Sequence, residues 1–575
     1  MAPTVFQIRT AKRMEIGWTV MKRPADRLEL HDSLMLFGVV LFSALPYLFG
    51  LGFYSDDWAF QAMLDHASRQ GVGAIFQQLL THDASTFVRP VQVVYLVLGF
   101  EMFGRHPLPY HLVNTVVLGL AAVFLYLGLK EIRLGRWLAF VVAVVFGLLP
   151  HYSTDRFWIA SHQATLSMAF AFIGIYALSR SMRLEASNPA RWLALAVLAL
   201  VLSILSYEVA LGLIIASLLI TGWRGYVETR KDTQRRFPNL ASVAGVAGVL
   251  LLIGMVKTRL QTRIVLSHYT FKDLVHLVRH FVVQAIQFNL WTYCLHMPWV
   301  LLSLSRHSAL SSAAVGTATI LAFLVTAYLW RYMDPSAAPD WRMCLQLLAM
   351  GFVIFGLGFV LFFPNDYYDF SAVGSNSRMV IASALGASCV LVALAGLACS
   401  VLKSQVRRAR AFSLAIGLIC GLNSLAVSGI GYFWVDAASR QAAILSSVAT
   451  NVRSLPAGSV LLLDGFCRFS GPGVIFETDW DAGGVIQLLL NDSTLSGDVV
   501  SRNMRFGDAA VKTSMYGSPE GSYTYGNQLF VYNVKTRTLA NLPSRKASNE
   551  YLHQMNPTGD SGCPAGQEGF GTKVF

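Results

Sequence analysis

Before residue 435 the chain is broken into apolar runs that approach the ~20 residues needed to cross a bilayer, and no other feature limits its fold as strongly. Eleven runs can be placed, at about 33–52, 110–129, 137–150, 164–179, 192–206, 209–223, 239–256, 309–330, 343–363, 379–400 and 411–434. The third is short for a span. A backbone in hydrocarbon must satisfy its own hydrogen bonds, so runs of this length read as helices. Composition agrees: hydrophobic residues make up 54% of 575 and charged residues 13%, against roughly 25% charged in soluble domains. The expected fold class is a polytopic α-helical membrane protein of about 11 transmembrane helices. The 32 residues before the first run are too long and too mixed in charge for a cleavable signal peptide, and no small-residue cleavage site follows.

Lys and Arg set the orientation. With the N-terminus inside, the cytoplasmic segments hold Arg9, Lys12 and Arg13, then Lys130, Arg133 and Arg136, then Arg180 and Arg183, and later Arg407, Arg408 and Arg410. Every short loop on that side is basic. The net charge of +13 is therefore mostly a topology feature and makes no case for nucleic acid as a partner. Segment 274–303 mixes Phe281-Val282-Val283 and Leu290-Trp291 with His276, Arg279, His280, Gln284, Gln287, Asn289 and His296. So many polar groups do not suit a lipid-exposed span, and an amphipathic helix at the outer interface is expected.

The chain divides into a cytoplasmic segment 1–32, a membrane domain 33–435 and an extracytoplasmic domain 436–575. The last is polar and carries strand-like runs at Val460-Leu461-Leu462-Leu463, Val474-Ile475-Phe476 and Leu529-Phe530-Val531-Tyr532. A small α/β or mostly β domain is expected, with a loose tail after about 540. Cys467 and Cys563 are its only cysteines, and outside the cytoplasm they are candidates to pair. No cysteine or histidine spacing reads as a metal site, and there is no internal repeat.

Chemistry is concentrated in the loops on the C-terminal domain's side. The first holds Tyr54-Ser55-Asp56-Asp57-Trp58, His82-Asp83, Arg89-Pro90, Phe103-Gly104-Arg105-His106 and Tyr110-His111-Leu112-Val113-Asn114. Adjacent carboxylates at a membrane surface suit proton abstraction, although Ser55 or Asp56 would also serve as a helix cap. Arg89 is equally readable as an interfacial arginine before a helix-starting proline. His111 and Asn114 suit packing between helices as well as binding. The second loop carries Thr154-Asp155-Arg156-Phe157-Trp158 and Ser161-His162, the third Ser206-Tyr207-Glu208. A carboxylate such as Glu208 inside an apolar stretch is costly unless paired. The fifth carries Asn365-Asp366-Tyr367-Tyr368-Asp369 and Ser375-Asn376-Ser377-Arg378, with Arg378 opening the tenth run where a lipid phosphate would lie.

In their order along residues 30–435, Asp56-Asp57 after the first run, Arg89-Pro90, the 103–114 stretch, Ser206-Tyr207-Glu208 and Ser375-Asn376-Ser377-Arg378 resemble the GT-C superfamily. These are integral-membrane glycosyltransferases that use polyprenyl-phosphate sugars. The likeness is to the protein O-mannosyltransferase and aminoarabinose-transferase group. The pair here is Asp-Asp where the O-mannosyltransferases show Asp-Glu, and the C-terminal segment shows neither tetratricopeptide nor MIR repeats. The resemblance implies inverting transfer of a hexosyl or pentosyl group from a polyprenyl-phosphate donor to a glycan, lipid or protein acceptor. It also implies a multi-pass protein of a bacterial inner membrane, with the catalytic loops facing outward.

The chemistry is consistent with that. One base must take the acceptor proton, and the phosphate leaving group calls for arginines, which bind it bidentately and stay charged. The expected roles are Asp56 as base with Asp57 orienting or sharing it, Arg89 and Arg378 on the phosphate, and His111, Asp155 and Glu208 on sugar or acceptor. No cofactor is required, and a divalent cation on the carboxylates is an option. A transporter or lipid flippase would also explain many spans, but it usually shows two related halves. A membrane acyltransferase would use His111 and leave the aspartates and arginines unexplained.

Overall fold

The computed structural model describes residues 24–555, except 69–70, 83, 184–187, 229–232, 261–269, 360–361, 363–369, 502–503 and 516–517. After α1 (Pro24–Leu48), four shorter helices, α2 (Asp56–Ser68), α3 (Val72–His82), α4 (Ala84–Phe87) and α5 (Pro90–Phe103), lead into α6 (Pro107–Glu131) and α7 (Arg136–Leu148). A single turn, α8 (Thr154–Phe157), precedes α9 (His162–Ser181), α10 (Pro189–Ser206), α11 (Leu211–Glu228) and α12 (Thr233–Leu260). Then come α13 (Phe271–Ala285), a π-helical stretch Ile286–Leu295, α14 (Met297–Arg306), α15 (Ser312–Tyr332), α16 (Trp341–Phe359), α17 (Ile381–Ser400) and α18 (Gln405–Asn451). Each predicted run falls on a helix, and eight helices among the described residues are long and apolar enough to cross a membrane. The third run is α7, only 13 residues long and buried from Trp137 to Leu148. A helix apolar on every side needs protein on every side, and α7 is packed among α1, α6, α17 and α18.

Two helices extend beyond the apolar runs they contain. The first run opens within α1, which starts ahead of it at Pro24. Asp32 lies inside it at 0% exposure. Its carboxylate accepts two bonds from Arg136 (2.7 and 2.8 Å) and one from each of the Tyr126 and Tyr328 hydroxyls (both 2.6 Å). A lone buried charge would be costly; with four donors it ties α1, α6, α7 and α15 together. At the other end the helix does not stop at 435. α18 continues to Asn451, because Ile444 and Val448 keep its apolar stripe and bury it against the C-terminal domain. The amphipathic segment is helical as expected. Val275, Val278, Val282 and Ile286 are exposed along it, while Asn289 and Tyr293 turn inward in the π stretch.

The C-terminal domain contains β1 (Val460–Asp464), β2 (Phe469–Ser470), β3 (Gly473–Val474), α19 (Asp479–Leu490), β4 (Ser496–Val499), β5 (Arg505–Phe506), β6 (Ala510–Met515), β7 (Ser518–Thr524), β8 (Leu529–Asn533), β9 (Thr538–Asn541) and α20 (Arg545–Met555). The main sheet runs β4-β1-β8-β9, with β1 parallel to both neighbours and β9 antiparallel to β8. Parallel neighbours need a crossover, and α19 supplies it between β1 and β4. Side chains alternate across a strand. Leu461 and Leu463 thus join the core that includes Trp434 of α18, and Leu462 joins a separate core with Leu529 and Val531. The expected tail after 540 begins instead with α20, where the Tyr551 hydroxyl donates to Asp464 Oδ2 at 2.7 Å. Cys467 is disulfide-bonded; Cys563 lies outside the described residues.

Candidate functional site

Loop 149–161, between α7 and α9, is the point on which the other loops converge. Asp57 sits in the first turn of α2 at 2% exposure. Its carboxylate accepts from the backbone N–H of Ala160 (2.7 Å), Ile159 (3.3 Å) and Tyr54 (3.0 Å). Asp57 therefore fastens the first loop to the second. Burial pushes its carboxyl well above the ordinary carboxylate range, against the pull of these three donors. Asp56 begins α2 and is partly exposed, next to Ser55 at a φ of 47°. This left-handed backbone is uncommon for serine.

The rest of the hub is bonded in a similar way. Asn114 of α6 donates to the Asp155 carbonyl at 2.7 Å. The Asp155 side chain has 0% exposure and accepts from the Ser161 hydroxyl. Burial pushes this carboxyl up as well, while Ser161 and the charges of Arg378 and Arg156 pull it down. Thr154 donates to the Gly374 carbonyl at 2.6 Å and accepts from Ser377 at 2.9 Å, which brings in the segment before α17. There the Arg378 guanidinium lies 4.9 Å from the centre of the Trp158 ring. His111 is fully buried, and its Nε2 donates to the Gly52 carbonyl at 2.9 Å. It anchors the entry to the first loop.

Arg89, Glu208 and Lys257 form a second cluster. Arg89 precedes α5, and its Nη2 is 3.3 Å from Glu208 Oε2, with the guanidinium 4.5 Å from the Tyr207 ring centre. Lys257 Nζ is 2.5 Å from Glu208 Oε1 and donates to the Ile204 carbonyl at 2.7 Å. Burial works to raise the Glu208 carboxyl, but the Arg89 and Lys257 charges outweigh it and hold it below its ordinary value. The pairing explains why a carboxylate is tolerated here. Helix α5 links the two clusters: Gln92 donates to the Ala160 carbonyl at 3.5 Å, and the Tyr95 hydroxyl is 2.9 Å from His162 Nδ1.

The C-terminal domain closes over the first loop. Ser55 Oγ donates to Glu477 Oε2 at 3.0 Å and accepts from Trp480 Nε1 at 3.1 Å. α19 lies so close to α2 that a Cβ on Gly484 would sit 2.6 Å from the Trp58 carbonyl oxygen. Ser55 is thus held across 422 residues of sequence, beside the candidate base. Sequence reasoning missed Glu477, Trp480 and Lys257 as site residues. The acidic-aromatic run Glu477-Thr478-Asp479-Trp480-Asp481 was the available clue for the first two, and Lys257 ends an apolar run with a charge. Asp83 and 365–369 lie outside the described residues. Among the described residues, no group of three or more His, Cys, Asp or Glu side chains gathers as a metal-binding set.

The chain is a helical integral membrane protein with an α/β domain docked on one end of its bundle. No protein-family model matches it, and no curated protein sequence matches either. Among solved structures it is similar to the crystal structures of ArnT from Cupriavidus metallidurans in the apo state and bound to undecaprenyl phosphate. Identity is 13% and 14%, each alignment covers 81% of this chain and 84% of that one, and the TM-score is 0.30 in both cases. At that score the likeness carries no weight, and the site is read from its own residues.

Proposed function

We propose that the chain is an inverting glycosyltransferase that moves a sugar from a polyprenyl-phosphate donor to a hydroxyl acceptor on the side of the membrane where Asp56 lies. The observation that carries this reading is the convergence of Asp57, Asp155 and Arg378 on one loop, with Asp56 beside them. Asp56 takes the proton of the acceptor hydroxyl as its oxygen attacks the anomeric carbon. The bond from that carbon to the phosphate oxygen breaks, and polyprenyl phosphate leaves with the electron pair. Arg378, with Trp158 behind its guanidinium, is suited to a phosphate that gains charge as it leaves. Asp57 and His111 position the first loop, while Asp155, buried next to Ser161, puts its charge beside Arg378.

Arg89 is the second phosphate ligand in this reading. It is paired with Glu208, and Lys257 shares that carboxylate, so the cluster keeps one positive charge for an anion. Asp57 is buried and already accepts three N–H bonds, so of the pair only Asp56 is placed to take a divalent cation. The test is a panel of polyprenyl-phosphate sugars incubated with the purified protein in lipid, following release of polyprenyl phosphate. Release from at least one donor, dependent on a hydroxyl acceptor, is expected. No release from any donor, with flux of ions or lipid across vesicles instead, would point to the transporter reading.

A further inference from the structure

At the end of the bundle opposite Asp56 there is a cavity of about 50 Å³ between the ends of α6, α9 and α11. His111 and Glu131 lie 20 residues apart on α6, which puts the two ends roughly 30 Å apart at 1.5 Å per residue. The cavity is lined by Glu131, Arg133, Arg183 and Arg224, by the hydroxyls of Ser179 and Thr221, and by apolar Ile132 and Met182. Glu131 is 7% exposed and is shared by Arg183 and Arg180, the latter at 3.1 Å. Arg224 reaches the Glu131 carbonyl at 3.4 Å. Two arginines therefore pair with one carboxylate, and Arg133 and Arg224 border the same cavity.

The hydroxyls add a separate observation. Ser179 and Thr221 are 9% and 6% exposed, and Ser179 Oγ and Thr221 Oγ1 make no hydrogen bond among the described residues. Buried hydroxyls without partners are costly, and both line the cavity that the arginines border. A water needs about 10–15 Å³ by this measure, so the space takes about three to five waters or one tetrahedral anion. Basic pockets between helices on the basic side of a membrane bind anionic headgroups.

We propose that this cavity is a phosphate-binding site. Arg183 and Arg224 supply forked donors to the phosphate oxygens, the Ser179 and Thr221 hydroxyls donate to the same group, and Ile132 and Met182 face its substituent. The phosphate belongs to the headgroup of an anionic phospholipid in the adjacent leaflet or to free phosphate in solution. The site is independent of the transfer reaction.

Native mass spectrometry of the full chain, released from bilayers of equal phosphatidylglycerol and phosphatidylcholine, tests the lipid source. A parallel titration with inorganic phosphate, read as a shift in melting temperature, tests the other. Ser179→Ala with Thr221→Val leaves the charge unchanged, and Arg183→Lys keeps the charge but loses the fork. About tenfold preferential retention of phosphatidylglycerol, cut to near parity by both variants, is expected if a headgroup is bound, since charge-assisted hydrogen bonds are the strong ones. A phosphate-induced melting shift that both variants abolish, without lipid preference, would support the site and assign it to free phosphate. A lipid preference that both variants leave intact overturns the proposal, because diffuse attraction to a basic face would then explain it. Absence of both responses in the wild type overturns it too.

Discussion

Asp56 and Asp57 are neighbours with different environments, and their substitutions should separate accordingly. Asp56→Asn should melt as the wild type does and lose about 10²-fold in turnover, the usual size of a missing general base. Asp57→Ala removes the acceptor of three buried N–H groups. Leaving such donors unsatisfied costs about 1–3 kcal/mol each, so this variant should show a clearly lowered melting temperature; an unchanged one would mean the three bonds do not hold the loops together. The sequence placed both aspartates in one outer segment, with Asp56 expected as base, but it did not show Asp57 as a tie between loops, because Ile159 and Ala160 lie about a hundred residues further on. A third carboxyl gives a pH dependence. Burial pushes Asp498 in β4 from 3.8 up to about 7, against donation from Val499 N–H and the Tyr523 hydroxyl. Between those values the folded chain keeps a proton that the unfolded chain has lost, so this group's contribution makes stability fall as pH rises, levelling off above 7. Melting temperature measured from pH 4 to 7 should fall less steeply in Asp498→Asn than in the wild type. Equal slopes would show that the carboxyl is not buried as described.

Helix α19 is the element whose role was least readable. Its sequence gives an ordinary capped helix, with Thr478 and Asp481 forming a capping box. Nothing local shows that its Gly484 faces the Trp58 carbonyl of α2, or that Trp480 and Glu477 hold Ser55. Such contacts depend on long-range docking, which periodicity does not encode. By contrast, each apolar run was legible as a helix because its length and hydropathy are set by the bilayer. The parallel strands β1 and β8 were legible because central strands read as short continuous apolar runs. The docking itself can be tested. Gly484→Val places a branched side chain where 2.6 Å is available, an overpacking worth about 1–3 kcal/mol. Limited proteolysis should then release the C-terminal domain faster, and transfer activity should drop with it. Unchanged proteolysis would mean that α19 and α2 are not in contact.

The bundle and the C-terminal domain make one unit with two chemically different ends. One end gathers the aspartates, Arg378 and α19, while the other gathers Asp32, Glu131 and the arginines of the basic loops. Loop 53–109 and the C-terminal domain 436–575 should therefore be labelled from the same, non-cytoplasmic side in cysteine-accessibility experiments, and labelling from opposite sides would remove the first loop from the site. The composition made the membrane class legible at once. In the proposed reading the sugar and the acceptor were not legible, because the shape of a site built from four separate loops would set them. The most direct measurement is the steady-state transfer of a labelled sugar from a polyprenyl-phosphate donor, as a function of donor concentration, for the wild type, Asp56→Asn and Arg378→Lys. Saturable transfer by the wild type is predicted, with Asp56→Asn lowering kcat by about 10²-fold. Arg378→Lys keeps the charge but loses the bidentate fork, and it should raise the donor KM, with a fall in kcat if the contact tightens as charge develops. Unchanged kcat and KM in both variants would contradict the assignment of this site.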